Sequence, residues 1–172
     1  AFFEKNGEGA FRELEESVVA ELLASDRPSV IALGGGALGS KATRKALKKH
    51  LTVLLDISVD DAWARVRRSK RPLAKDQNAF RALYAERRRV YEDNADVILP
   101  TSPASALRES TPLMRELLQR KAGPRMLWTS GKSWSYPSVF DPGCLAGGDL
   151  WLARRDAVTV SDEHLAAVYP WL

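Results

Sequence analysis

Residues 30–40, Val-Ile-Ala-Leu-Gly-Gly-Gly-Ala-Leu-Gly-Ser, constrain the fold more than any other stretch of this chain. The apolar run Val30–Leu33 is too short for a helix and predicts a strand buried on both faces. Three consecutive glycines follow, and Ser40 then offers a side-chain cap for a helix starting at Lys41. A strand that runs through glycines into a helix brings backbone N–H groups close to a ligand, at a helix start where anions are favoured. Glycine-rich turns without any ligand are also common, so on its own the stretch is equally a structural corner.

The flanking sequence supplies the elements around that turn. Between Gly7 and Ala24, Phe11, Leu14, Val18 and Leu22 recur at helical spacing, with Glu13, Glu16 and Glu21 opposite and Arg12 near the edge of the apolar stripe. Ser25-Asp26-Arg27-Pro28 breaks this helix ahead of the Val30 strand. Downstream, the pattern predicts a helix to His50 and a second buried strand over Leu51–Asp56. A further helix to Arg68 is begun by a capping box of Ser58 and Asp61. The charged stretch from Lys70 to Asp76 reads as a mobile loop. Gln77–Glu92 reads as a helix carrying Arg87-Arg88-Arg89 on its last turns, and Asp96–Leu99 as a third strand. Ser102 is placed as a cap with Pro103 at the first helical position, and Pro112 should kink or restart the helix that follows. Strands alternating with helices imply βα units and a mostly parallel sheet.

Past Ala122 the alternation stops. Residues 123–172 hold four of the five tryptophans but too few helices to bury them independently. A domain boundary is therefore expected near 122, with the tail packed loosely or extended from the body. The net charge of +4 hides a local asymmetry. Residues 64–92 carry ten Arg or Lys against Asp76, Glu86 and Glu92, a local +7. Such a block suits a nucleotide, a small anion or a nucleic-acid backbone, although charge runs are usually solvated helix faces. A nucleic-acid module would interleave aromatics on a strand face, and this block does not. No apolar run reaches membrane-spanning length, and Ala1-Phe2-Phe3-Glu4-Lys5 has no signal-peptide character. Cys144 is alone, which suits a reducing cytoplasm. His50 and His164 lie far apart, so no metal site is expected.

Four ordered motifs carry a family resemblance: Gly7-Glu8-x-x-Phe11-Arg12-x-x-Glu15, Leu33-Gly-Gly-Gly-Ala37, Arg71-Pro-Leu73 and Arg87-x-x-x-Tyr91. Together they resemble shikimate kinase over residues 1 to about 120. The resemblance implies an α/β fold with the three-layer parallel sheet of P-loop, nucleoside-monophosphate-kinase-like proteins. It also implies ATP-dependent phosphorylation of the shikimate 3-hydroxyl in aromatic amino acid biosynthesis, with ATP and Mg²⁺ as cofactors. Arg12 and Arg87 match the arginines that grip the shikimate carboxylate, a task suited to the guanidinium fork. Gly34, Gly35 and Gly36 match glycines lining the shikimate pocket. Arg71 matches the lid arginine that reaches the ATP phosphates and stabilises charge on the transferring group. Arg65 and Pro103 match adenine-side residues, with the Arg65 to Arg71 spacing one residue short.

The departures from the family are as informative. The chain contains no Gly-x-x-x-x-Gly-Lys-Ser/Thr loop; Gly131-Lys132-Ser133 is a partial echo with no upstream glycine at the needed spacing and no preceding strand expected. In the family that loop, and an acidic residue on the shikimate hydroxyl, precede the Gly-Glu-x-x-Phe-Arg motif. The chain therefore reads as a shikimate kinase lacking its N-terminal part, without kinase activity of its own. By the same resemblance the absent strand would sit between Val30–Leu33 and Leu51–Asp56, leaving an open gap. The tail, Tyr136-Pro-Ser-Val-Phe-Asp-Pro-Gly143 and Ala157 to Tyr169, resembles the opening of 3-dehydroquinate synthase. That implies a kinase-like domain over 1–122 joined to the beginning of a synthase-like domain over 123–172, in a bifunctional fusion. The expected partners are shikimate and ATP, with no nucleic acid and no membrane. Another small-molecule P-loop kinase, or a non-catalytic domain derived from a kinase, are the alternatives.

Overall fold

A computed structural model describes residues 2–68, 76–119, 125–131 and 134–140, together with 163 and 167. The chain divides into two compact units, Ala1–Phe140 and Asp141–Leu172. Every element named below lies in the first.

Helix α1 spans Phe2–Leu23 and is interrupted at Gly7, whose φ of 80° is a left-handed geometry that suits glycine. The buried face of α1 is offset from the stripe read in the sequence. Leu14, Val18 and Leu22 are 44–45% exposed, whereas Val19 is buried and Phe11, Arg12, Glu15 and Leu23 are half-buried. The offset follows from what α1 packs against, namely the glycine turn and α2 (Lys41–Leu47). That surface is met by Arg12 and Glu15 as much as by apolar side chains.

Val30–Leu33 forms no strand. Val30 is fully exposed, and the segment has no strand beside it to complete a ladder, without which extended backbone keeps its polar groups in water. The sheet instead starts at β1 (Val53–Asp56) and has the order β1-β2-β3-β4. Between Val30–Leu33 and the outer edge of β1 runs an apolar groove of about 940 Å³, lined by Val30, Ile31, Leu33, Val53 and Leu55 among others. The gap expected there is open. For the same reason β1 is half-exposed rather than buried, with Val53 at 41% and Leu55 at 51%.

β1 pairs in parallel with β2 (Val97–Pro100), and β2 in parallel with β3 (Arg125–Ser130). β3 then pairs antiparallel with β4 (Ser135–Phe140), from Arg125↔Phe140 to Ser130↔Ser135, so the sheet is mixed. The compositional change near residue 122 does not end it. Met126 and Trp128 alternate onto the interior face at 1% and 6% exposure, so the start of the tail belongs to this core and does not lie loosely beside it. The edge of β2 supplies the ladder, and the period-2 apolar pair supplies the face. Trp151 lies outside the described residues.

The caps read from the sequence form at two sites. Ser40 accepts from the Thr43 N–H at the start of α2, and Ser58 accepts from the Asp61 N–H at the start of α3 (Val59–Val66). Asp76 caps α4 (Gln77–Asn94) through the N–H groups of Asn78 and Ala79. At α5 (Ala104–Leu117) the expectation fails. Pro103 is extended (φ −74°, ψ 158°) and is itself the N-cap, with no side-chain cap from Ser102. Pro112 lies inside α5 without ending it. The Ser110 and Thr111 hydroxyls both donate to the Leu107 carbonyl beside it. The loop predicted over Lys70–Asp76 lies, except for Asp76, outside the described residues.

Candidate functional site

The site is built on the glycine turn. Gly34 accepts from the Ala37 N–H and Gly36 from the Gly39 N–H, folding residues 34–39 into a tight corner ahead of α2. Arg44, one turn into α2, donates to the carbonyls of Leu38 and Gly39 at 2.5 and 3.0 Å and fixes the far side. Two long helices then bring side chains against the corner.

From α1 comes Arg12. Its guanidinium donates to Glu15 at 2.6 Å and to Glu8 at 3.4 Å, one turn on either side along the helix. The bond to Glu15 holds the Arg12 pKa above the ordinary arginine value, so this is a permanent cation. The guanidinium lies where a Cβ on Gly36 would be, and the Glu15 carboxylate lies where a Cβ on Gly34 would be. Only glycine permits these approaches. Gly36 has φ −107°, so proximity and not backbone geometry is what requires it.

From α4 come Arg87 and Tyr91, four residues apart and so on one helix face. The Tyr91 hydroxyl donates to the Gly35 carbonyl at 2.6 Å. A Cβ on Gly35 would stand 3.2 Å from the Arg87 guanidinium and 3.4 Å from the Tyr91 oxygen. Burial pushes the Tyr91 phenol above its ordinary value, and the adjacent Arg87 charge and hydrogen bond pull it partly back. A cleft of about 590 Å³ opens beside Arg12, Glu15, Gly36 and Ser40.

Two guanidinium groups, from helices 75 residues apart in the chain, thus flank adjacent glycines. Two charged forks beside a wall lacking side chains are chemically suited to a small carboxylate, although the Arg12 fork here is bonded to Glu15 and Glu8. The structure brings together five of the residues singled out in the sequence: Arg12, Gly34, Gly35, Gly36 and Arg87. It does not bring in Arg65 or Pro103, which are exposed on α3 and at the start of α5. Arg71 lies outside the described residues.

Comparison with known proteins decides the family. The shikimate kinase family model matches residues 1–120. The chain belongs to the shikimate kinase family. The shikimate kinase of Thermobifida fusca is 39% identical over 118 residues, covering 67% of this chain and 68% of that protein. That of Pseudoalteromonas atlantica is 36% identical over 123 residues, covering 68% and 71%. Among solved structures, shikimate kinase from Acinetobacter baumannii in complex with shikimate superposes with a TM-score of 0.59 at 30% identity. It covers 70% of this chain and 69% of that one. The fold is accordingly the α/β, P-loop-kinase-like fold of shikimate kinases, here with a mixed sheet of four strands among the described residues. No described helix is long and apolar enough to cross a membrane.

Periodicity alone missed part of the shikimate kinase site. The motif named Tyr91 without giving it a role, yet the phenol's bond to Gly35 is what ties that helix to the turn. The i, i+4 spacing from Arg87 was the available signal. Arg88 was one of three consecutive arginines with nothing to set it apart. It donates to Glu92 at 2.6 Å, Tyr84 at 3.0 Å and Asp56 at 3.1 Å, while the Tyr84 hydroxyl donates to the Ile57 carbonyl at 2.5 Å. These bonds fix α4 against the end of β1. No local pattern announces a partner 32 residues away.

Proposed function

We propose that this chain supplies the shikimate-gripping part of a shikimate kinase, the enzyme that transfers the γ-phosphoryl group of ATP to the shikimate 3-hydroxyl. The observation that carries the reading is the placement of Arg12 and Arg87 against Gly36 and Gly35. In this reading the two guanidinium groups hold the shikimate carboxylate through charge-assisted bonds. The bare glycine wall lets the ring approach the backbone, and Glu15 keeps the Arg12 fork oriented. Arg71 is the lid arginine, and Arg65 and Pro103 lie on the adenine side, by family resemblance.

ATP and Mg²⁺ are the groups the family implies, and the described residues do not fit them. The sequence has no phosphate-holding loop of the Gly-x-x-x-x-Gly-Lys-Ser/Thr kind. Gly131 does follow a strand, β3, but its N–H donates to the Trp134 carbonyl in a connection to a second strand instead of a helix. We therefore read these 172 residues as competent for shikimate and not for phosphoryl transfer. A further part of the reading rests on the sequence resemblance of residues 136–143 and 157–169 alone, that the chain joins a kinase domain to the opening of a 3-dehydroquinate synthase in a cytoplasmic bifunctional protein.

The test has two arms on this 172-residue chain. Calorimetric titration should show saturable shikimate binding, and a coupled assay should show no shikimate-dependent release of ADP. Absence of shikimate binding removes the site assignment; ADP release removes the argument from the missing loop.

A further inference from the structure

The helix that carries Arg87 and Tyr91 ends at a corner held from two sides. Helix α4 stops at Asn94, Ala95 is its C-cap, and β2 begins at Val97. From the β1 side, the Thr52 hydroxyl sits 2.6 Å from the Asn94 carbonyl and 2.7 Å from the Asp96 carboxylate. The Thr52 N–H donates to the same carboxylate at 2.8 Å. From the β3 side comes Arg125. Its guanidinium donates to the Glu92 carbonyl at 2.8 Å and to the Ala95 carbonyl at 3.3 and 3.4 Å, and the Met126 N–H donates to the Asp96 carbonyl at 2.7 Å. The last carbonyls of a helix lack intrahelical partners and carry its negative end. A cation that reaches two of the last carbonyls therefore adds strong donors and complements their charge together.

Arg125 lies past residue 120, where the match to the shikimate kinase family stops. We propose that Arg125, and with it strand β3, is a positioning element for the substrate site. By capping the last turn of α4 it sets the Tyr91 hydroxyl on Gly35 and the Arg87 guanidinium beside it. The reasoning is geometric. Tyr91 directly precedes Glu92, whose carbonyl Arg125 holds, and Arg87 lies on the same helix face one turn earlier. Fraying of the last turn would release the Tyr91 bond first and let Arg87 drift from the turn with it. The Thr52 contacts reach only Asn94 and Asp96, so beyond the long 3.5 Å bond from the Ala95 N–H the Glu92 carbonyl is held by Arg125 at 2.8 Å. Residues beyond the span matched by the family would then take part in holding shikimate. This inference rests on the shikimate reading for its ligand but not for its geometry.

The experiment uses the full chain with Arg125→Ala, Arg125→Lys and, as a control at the opposite end of α4, Arg81→Ala, which removes an exposed pair with Asp60. Two readouts are followed: shikimate affinity by calorimetry, and the pH titration of the Tyr91 ζ-carbon resonance, assigned with Tyr91→Phe. Arg125→Ala is expected to weaken shikimate by about three- to tenfold, the scale of one or two hydrogen bonds, and to move the Tyr91 titration toward that of a free tyrosine. Arg125→Lys should recover part of both, and Arg81→Ala should change neither. Should the alanine variant fail to fold, Arg125→Gln, which keeps a donor without the charge, replaces it. An unmoved Tyr91 titration in the Arg125 variant overturns the proposal whatever the affinity does. A moved titration in a chain that binds no shikimate leaves the positioning role standing and removes the shikimate reading instead.

Discussion

Replacing Gly36 with alanine separates two reasons for a glycine. At φ −107° and ψ −10° the residue occupies backbone space open to any amino acid, so alanine introduces no conformational strain there. What it does introduce is a methyl group where the Arg12 guanidinium now lies. That group is the far end of a flexible side chain and can swing away, so the fold should survive. The displaced arginine loses its 2.6 Å bond to Glu15 and its longer bond to Glu8, both on a partly exposed helix face and together worth less than about 1 kcal/mol of stability. Against this, Gly→Ala restricts the unfolded chain and contributes about 0.4–1 kcal/mol in the opposite direction. The melting temperature should therefore barely change. Shikimate affinity should fall by about 1.5–3 kcal/mol, roughly ten- to 150-fold, because a charge-assisted bond to the carboxylate is lost. Gly39→Ala is the matched control, since nothing lies within 4 Å of its would-be Cβ. Calorimetry and thermal melting of the three proteins decide it. Undiminished shikimate affinity in Gly36→Ala would refute the reasoning, and a large drop in melting temperature would show that the glycine serves the fold.

Arg12→Ala and Arg87→Ala should each weaken shikimate by about 1.5–3 kcal/mol in the same titration, and unchanged affinity in both would remove the carboxylate assignment. Tyr91 gives a pH signature. Its folded pKa is raised above the ordinary value of about 10, so its contribution to stability is fully present below that value and is lost as pH rises through the raised one. Urea denaturation from about pH 9 to 11 should show a decline that Tyr91→Phe lacks. Trp128→Ala should destabilise the first unit by about 3–5 kcal/mol, the cost of a large buried truncation. The loss should appear at α5 and β2 as well as in the hairpin, by hydrogen exchange.

The parts of the fold that were legible in the sequence are those fixed by neighbours in the chain. Ser40 and Ser58 cap the helices they precede because a cap reaches only three residues. The meeting of Arg12 and Arg87 at Gly34–Gly36 was legible because these motif residues keep their spacing whatever else the chain does. The failures lie where a partner decides. Val30–Leu33 has the composition of a buried strand but no strand beside it, and composition cannot report a missing neighbour. Leu14, Val18 and Leu22 have helical periodicity, but α1 meets its surroundings through Arg12, Glu15 and Val19. Residues 125–140 were read as leaving the domain because the helix-strand rhythm stops. Their membership in the sheet depends on the edge of β2, 25 or more residues upstream.

One physical point connects these failures to the site. If the glycine corner depended on a strand at Val30–Leu33, the loss of that strand would have scattered Gly34–Gly36, and with it the approach of the two arginines. The corner is instead closed by its own backbone bonds, Ala37 to Gly34 and Gly39 to Gly36, and braced by Arg44 from below and Tyr91 from above. The backbone bonds and those of Arg44 stay within residues 34–44, and only the Tyr91 bond to Gly35 joins two residues from distant parts of the chain that line the open groove beside β1. The two functions of a kinase therefore place different demands on the fold. Gripping a small carboxylate needs only this locally bonded corner and two helices. Holding a nucleotide triphosphate needs a loop suspended between a sheet strand and a helix start, so that several backbone N–H groups converge on the phosphates. On the proposed reading, the shikimate grip rests on local bonds at the corner and the phosphate grip on the sheet.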